Sequence, residues 1–285
     1  MGSEMCIRDS PSSGNRRGRL LVSVHKVIIA SDVHFGAESR DSLVSFWRFL
    51  VDTKPSLLVL AGDIVDLQAI SKYDPEDDSP HEVISEIKQA VTFINATVRQ
   101  QKIPVYILSG NHEDRWKKAI VGSRAVALRG AKGLTLHEQF TAQGMDQSVR
   151  WVDEKPGVPG LFVGKRAILI RHGHVQSGKY SSAKSVPDKL LRQTPTVSTL
   201  VGHHHRGGFL AQTILGQTVY GIANPHLSSD HAYNPNANWQ RGFTLLEFYG
   251  ASRLRDCVKF TPHVILLDSD NSFCYGGKVY NSKRE

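Results

Sequence analysis

Five short segments of this 285-residue chain carry side chains able to hold a divalent cation. They are Asp32 and His34 in "SDVH", Asp63 and Asp66 in "GDIVD", and Asn111, His112 and Glu113 in "GNHED". His172 and His174 follow in "RHGH", then His203, His204 and His205 in "GHHH". Mixed imidazole, carboxylate and amide donors suit Mn²⁺, Fe or Zn²⁺. Each segment has an ordinary structural explanation. An Asp or Asn after a strand is usually a turn former or helix cap, and a His-rich loop is usually solvated. Five in succession, each behind an apolar run, are not ordinary together.

The elements that must position them are legible in the pattern. "LLVSVHKVIIA", "SLLVLAGD", "IPVYILSGN", "RAILIRHGH" and "TVSTLVGHHH" read as buried strands,. The polar residues thus fall at five C-terminal strand ends, expected on the same edge of one sheet, where open α/β sheets place their ligands. Gly202 ends the strand that runs from Thr196 to Val201. If extended geometry continues past it, His203 and His205 share one side and His204 points away.

Between the strands, Leu43, Phe46, Trp47, Leu50 and Val51 fall at helical spacing. Val83, Ile84, Ile87, Val91, Ile94 and Val98 make a second stripe, opened by a capping signature at Ser79, Pro80 and Glu82,. Arg115–Leu128 is expected to be helical and Val175–Thr196 to be a polar connection. After Gly208, "QTVYGIAN", "FTLLEFYG", "CVKFTPHVILL" and "FCYGGKVY" read as strands. Strand alternating with helix, then strand-rich, describes an α/β layered domain with a partly antiparallel second sheet.

Composition is that of an ordinary globular chain, 40% hydrophobic and 22% charged,. No apolar run approaches the roughly 18–20 residues of a membrane span. Cys6, Cys257 and Cys274 are scattered, which fits a reducing, cytoplasmic setting better than a disulfide framework, with a Cys257–Cys274 bridge the one pairing left open. A net charge of +8 and a pI near 9.4 favour anionic partners such as nucleic acid or phosphorylated substrates. Residues 1–19 lack an apolar signal region and read as a disordered, non-native leader. Residues 20–285 are expected to form a single domain.

The set of motifs resembles the calcineurin-like metallophosphoesterase family, of the small bacterial or phage type. D-x-H falls at Asp32 and His34, G-D-x-x-D at Gly62 to Asp66, and G-N-H-E at Gly110 to Glu113. A His-Gly motif at His172 and G-H-x-H at Gly202 to His205 complete it. The resemblance implies a four-layer αββα sandwich of two mixed sheets flanked by helices, with a two-metal centre, manganese first and iron or zinc as alternatives. Carried over, one metal takes Asp32, His34 and His205. The other takes Asn111, His172 and His203, Asp63 bridges, and His204 is left out.

Two such cations lower the pKa of a bridging water and stabilise in-line attack on phosphorus. The family places His112 at the substrate as general acid or transition-state donor. Asp66 would fix the His112 tautomer, or alternatively cap a helix. Asn111, His112 and His174 are the candidate substrate contacts.

Departures from the family narrow the substrate. Leu67 stands where protein Ser/Thr phosphatases carry Arg, and Asp66 where purple acid phosphatases carry Tyr. "NWQRGF" at 238–243 is similar to small bacterial and phage members. Arg115, Lys117, Lys118 and Arg124 could line a path for an anionic chain or form a solvated helix face. The expected activity is phosphodiester hydrolysis on nucleic acid or nucleotide. The alternatives are a phosphomonoesterase of the same fold and a non-catalytic scaffold for protein binding. No membrane association is expected.

Overall fold

In the computed structural model, residues 23–71, 82–120, 131–154, 160–174, 186–229 and 238–283 are described. In chain order the first half holds β1 (His25–Ala30), α1 (Arg40–Thr53), β2 (Leu57–Ala61), α2 (Val83–Asn95), β3 (Val105–Leu108), α3 (Asn111–Ile120), α4 (Leu136–Ala142) and β4 (Arg150–Val152). The second holds β5 (Leu161–Val163), β6 (Ile168–Arg171), α5 (Val186–Gln193), β7 (Ser198–Val201), β8 (Gly208–Ile214), β9 (Gln217–Ala223), β10 (Gly242–Tyr249), β11 (Lys259–Leu266) and a hairpin, β12 (Phe273–Tyr275) with β13 (Lys278–Tyr280).

One mixed sheet has the order β11-β10-β1-β2-β3-β4, and the other β5-β6-β7-β9-β8. In the first, β1 to β4 run parallel and β10 returns antiparallel beside β1. In the second, β6, β7 and β9 are parallel between antiparallel edges. The five motif-bearing strands are therefore divided, β1, β2 and β3 in one sheet and β6 and β7 in the other. The expectation of a single sheet edge is corrected: the site lies where the ends of two sheets meet.

Alternation explains the layering. In β1, Ile28 and Ala30 pack toward Phe46, Phe49 and Ile87 of the helices, whereas Val27 and Ile29 pack toward Ile168 and Leu200 of the second sheet,. Both faces are buried, so these strands read as continuous apolar runs. Across the second sheet, Val186 and Leu190 of α5 cover Val201 and Ala223. The layers are thus α, β, β, α. Burial of this kind contributes roughly 1.5–3 kcal/mol per large apolar side chain.

Helix α1 starts where the Ser39 hydroxyl accepts from Ser42 N and ends at Lys54, whose left-handed backbone (φ +44°) returns its N–H to Leu50 O,. Helix α2 buries Ile87, Ala90, Val91 and Ile94 while Ile84 of the expected stripe stays exposed. Ser79 and Pro80 of the expected cap lie outside the described residues, and Glu82 at the N-cap position makes no side-chain cap bond. A π-helical turn, Ala96–Gln100, extends the element and brings Val98 onto the core.

Helix α3 begins at Asn111 rather than Arg115; residues 121–128 of that expected helix, Arg124 among them, lie outside the described residues. The segment expected to be a polar connection, residues 175–196, contains α5. Its eight residues carry few apolar positions, yet they fall on one face. Gly221 lets it approach, since a Cβ there would meet Pro187 O at 2.3 Å. Cys257 and Cys274 are free, so the possible bridge is absent. Among the described residues no helix is long and apolar enough to cross a membrane.

Candidate metal centre

The loops after β1 and β2 are joined by backbone bonds from Asp32 N to Gly62 O, His34 N to Asp63 O and Phe35 N to Ile64 O. Within and around them, five side chains expected to bind metal sit in the left-handed region: Asp32 (φ +53°), His34 (+52°), Asp63 (+50°), His203 (+65°) and His205 (+53°). Asp and His enter this region more readily than most residues, but such conformations still cost on the order of 1–3 kcal/mol each when the surroundings impose them. The alternation expected along "GHHH" does not continue past β7. Two left-handed residues around His204, not an extended strand, turn His203 and His205 into the site.

Asp63 is the centre of the arrangement. Its Oδ2 lies 3.3 Å from His172 Nε2, 3.8 Å from His112 Nε2 and 3.9 Å from His34 Nε2, and its Oδ1 accepts from His112 N at 2.9 Å. Asp32 Oδ1 lies 3.3 Å from His205 Nε2, and both Asp32 oxygens accept from His203 N. Among the described residues, three groups bring their ligand atoms within 4.8 Å of one another: Asp32, His34 and His205; His34, Asp63 and His112; and Asp63, His172 and His203. Asn111 joins the last, its Oδ1 3.0 Å from His172 Nε2.

The donor set is one that could hold divalent metal. His34 donates from Nδ1 to Asp66 Oδ1 at 2.9 Å, and His172 from Nδ1 to Ala61 O at 2.9 Å. Each ring is thereby oriented with Nε2 toward the carboxylates. Burial disfavours the His172 imidazolium, but the Asp63 charge outweighs it and pushes His172 up to about 10. A ring held between oxygen acceptors at both nitrogens occupies a place that calls for a cation, whether proton or metal. Burial, reinforced by the neighbouring His112 and His172 charges respectively, holds His34 down at about 4 and His203 at about 3, the neutral form a metal needs. Asp63 ionises well below the usual range; burial opposes this, but His172 and His112 prevail. Backbone clearance matches: a Cβ on Gly110 would meet Asp63 Oδ1 at 2.2 Å, and one on Gly202 would meet Asp32 Oδ2 at 2.8 Å.

His112 sits at the edge of this set, its ring edge-on to His34 at 4.2 Å between centroids. Its Nδ1 meets the Asp66 carbonyl at 2.7 Å and the Asp66 carboxylate at 3.2 Å. The main chain of Asp66 thus makes the shorter bond to His112, while its side chain holds His34 more closely. Burial opposes the His112 imidazolium, yet Asp63 and Asp66 raise it above its ordinary value. His174 stands beside His172 at 5.3 Å between ring centroids and 3.4 Å from Asp114 Oδ2, at the rim. His204 is half-buried beside His203, and burial brings it down to about 4.

Four contributors escaped the sequence reading or had no role in it. Glu113 is buried and accepts from Asp63 N, Ile64 N and Gly110 N, so it ties the loop after β2 to the loop after β3. Glu154, just after β4, accepts from His172 N and Gly173 N and links the ends of the two sheets. His226 stacks on His205 at 4.7 Å and 14°, and Trp239 meets the same ring edge-on at 4.7 Å. The signal for His226 was present, because "GIANPH" is a sixth strand end with polar residues.

The sequence pattern of the calcineurin-like phosphoesterases matches residues 25–245. The chain is 22% identical over 237 residues to the Gene 54 protein of Mycobacterium phage D29, covering 79% of this chain and 89% of that one. Among solved structures it is similar to Vacuolar Protein Sorting 29 of Cryptosporidium parvum (TM-score 0.44, 13% identity, 90% of this chain and 95% of that one). It is also similar to YfcE, a phosphoesterase of E. coli (TM-score 0.40, 12% identity, 83% and 98%).

Proposed function

Because the chain belongs to the calcineurin-like phosphoesterase family, we propose that it hydrolyses phosphoesters at a centre for two divalent ions, with phosphodiesters of nucleic acid or nucleotides ahead of monoesters. The observation that carries this reading is the convergence of three imidazoles on Asp63 Oδ2, with Asp32 and His205 paired on one side of it. In this reading Asp32, His34 and His205 hold one ion, Asn111, His172 and His203 the other, and Asp63 both. Manganese is the first choice and iron or zinc the alternatives. Bound there, the ions supply an acidified water as nucleophile and positive charge for the phosphate oxygens.

The chain's own residues do the rest. His112, on the substrate side of Asp63, gives a proton to the leaving oxygen or donates to the phosphate. The Asp66 carbonyl keeps its Nδ1 protonated and its Nε2 available, while the Asp66 carboxylate orients His34. Glu113 and Glu154 hold the loops that carry Asp63 and His172 in register. His174 is placed with the substrate at the rim. The net charge of +8 supports a polyanionic substrate.

The test is metal analysis coupled to rates on bis-p-nitrophenyl phosphate, p-nitrophenyl phosphate, and single- and double-stranded DNA. Mn²⁺-dependent hydrolysis with the diester preferred is expected. Two bound ions without turnover of any of the four would refute the enzymatic reading.

A further inference from the structure

Of the basic residues that follow "GNHE", Lys117 and Lys118 are exposed, whereas Arg115 turns inward from α3, three positions after His112. Its Nη1 donates to the Asp66 carbonyl at 2.8 Å and to Gln68 Oε1 at 3.4 Å, and its Nη2 reaches His112 Nε2 at 2.8 Å. None of these partners is a carboxylate. Arg40, Arg99 and Arg192 each meet a carboxylate, but among the described residues Arg115 forms no ion pair. A partly buried cation whose partners among the described residues include no carboxylate bears a desolvation cost that these hydrogen bonds offset only in part. Here it does so at the edge of a site built for anions.

We infer that Arg115 binds the phosphate group of the substrate. Two of the five guanidinium hydrogens, on Nε and the second on Nη2, make no hydrogen bond among the described residues. Nε and Nη2 form one edge of the planar fork, the edge that takes two oxygens of a phosphate side by side. Since Nη2 already touches His112 Nε2, a phosphate drawn up to His112 comes within reach of the same guanidinium. The Asp66 carbonyl, shared by His112 and Arg115, sets the two donors as a pair. This assignment deepens the phosphoester reading of the site and rests on it.

Calorimetric titration of inorganic phosphate into the Mn²⁺-loaded full chain tests it, alongside KM and kcat on bis-p-nitrophenyl phosphate. Arg115→Met should weaken phosphate binding and raise KM, each about tenfold or more, as expected for loss of a charge-assisted bond. Metal content should be unchanged. Arg115→Lys, which keeps the charge without the fork, should still weaken phosphate several-fold, and it serves if the Met variant does not fold. Phosphate affinity within twofold of wild type in the folded variants would overturn the assignment, and a fall in kcat alone would leave Arg115 only holding His112. If the wild type binds phosphate but turns over no ester, the hydrolase reading fails while the titration still decides Arg115. If the wild type binds no phosphate, the assignment falls with it.

Discussion

Asp63 and His172 meet where the two sheets converge: Oδ2 of the one lies 3.3 Å from Nε2 of the other, though Asp63 follows β2 and His172 follows β6. Asp63 also faces His34 and His112, so its substitution should be felt on both sides of the centre. Asp63→Asn is expected to impair both ions, whereas His205→Ala, which touches only the Asp32 side, should weaken one. Elemental analysis across a Mn²⁺ titration reads the difference. At most one tightly bound ion in the saturated wild type would count against a two-ion centre.

His112→Ala should lower kcat by ~10²–10⁴-fold while largely sparing metal content, because its contribution is assigned to the phosphate. The loss should be smaller for p-nitrophenyl esters, whose leaving groups need little protonation. Equal losses on good and poor leaving groups would remove the general-acid role and leave hydrogen bonding to the transition state.

The three neighbouring histidines should separate cleanly. His204→Ala is expected to keep near-wild-type metal content and diesterase rate, since His204 belongs to none of the three ligand groups. His203→Ala and His205→Ala should each lose affinity for one ion and most activity. Three similar, mild phenotypes would instead describe a solvated loop.

Glu154 carries a structural prediction with a functional consequence. Glu154→Ala leaves the buried N–H groups of His172 and Gly173 without their acceptor, a cost of ~1–3 kcal/mol. Denaturant unfolding should show this loss together with weaker Mn²⁺ binding, because His172 rides on the same bonds. Glu154→Gln, which keeps an acceptor oxygen, should lose less. If Glu154→Ala were as stable as wild type, the link between β4 and β6 would not hold the site.

Much of this molecule was readable before any fold was known. Strands β1, β2, β3, β6 and β7 announce themselves as apolar runs because both of their faces are buried, and the donors follow each run directly. The order and types of those donors also carried the family resemblance, since metal chemistry restricts which side chains can serve. What local pattern could not decide was how separate strand ends meet. Their division between two sheets is a matter of long-range pairing, which strand periodicity does not encode. The inward turn of His203 and His205 came from left-handed backbone imposed by neighbouring loops, where strand alternation gave the right side chains for the wrong reason. Helix α5 was missed because eight residues give too few turns for the period to show. Glu113, Glu154, His226 and Arg115 take their roles from partners 18 to 50 residues away or, for His226, from a stack on His205. A buried carboxylate that braces backbone amides is, as sequence, only a Glu; tertiary packing decides which amides it reaches.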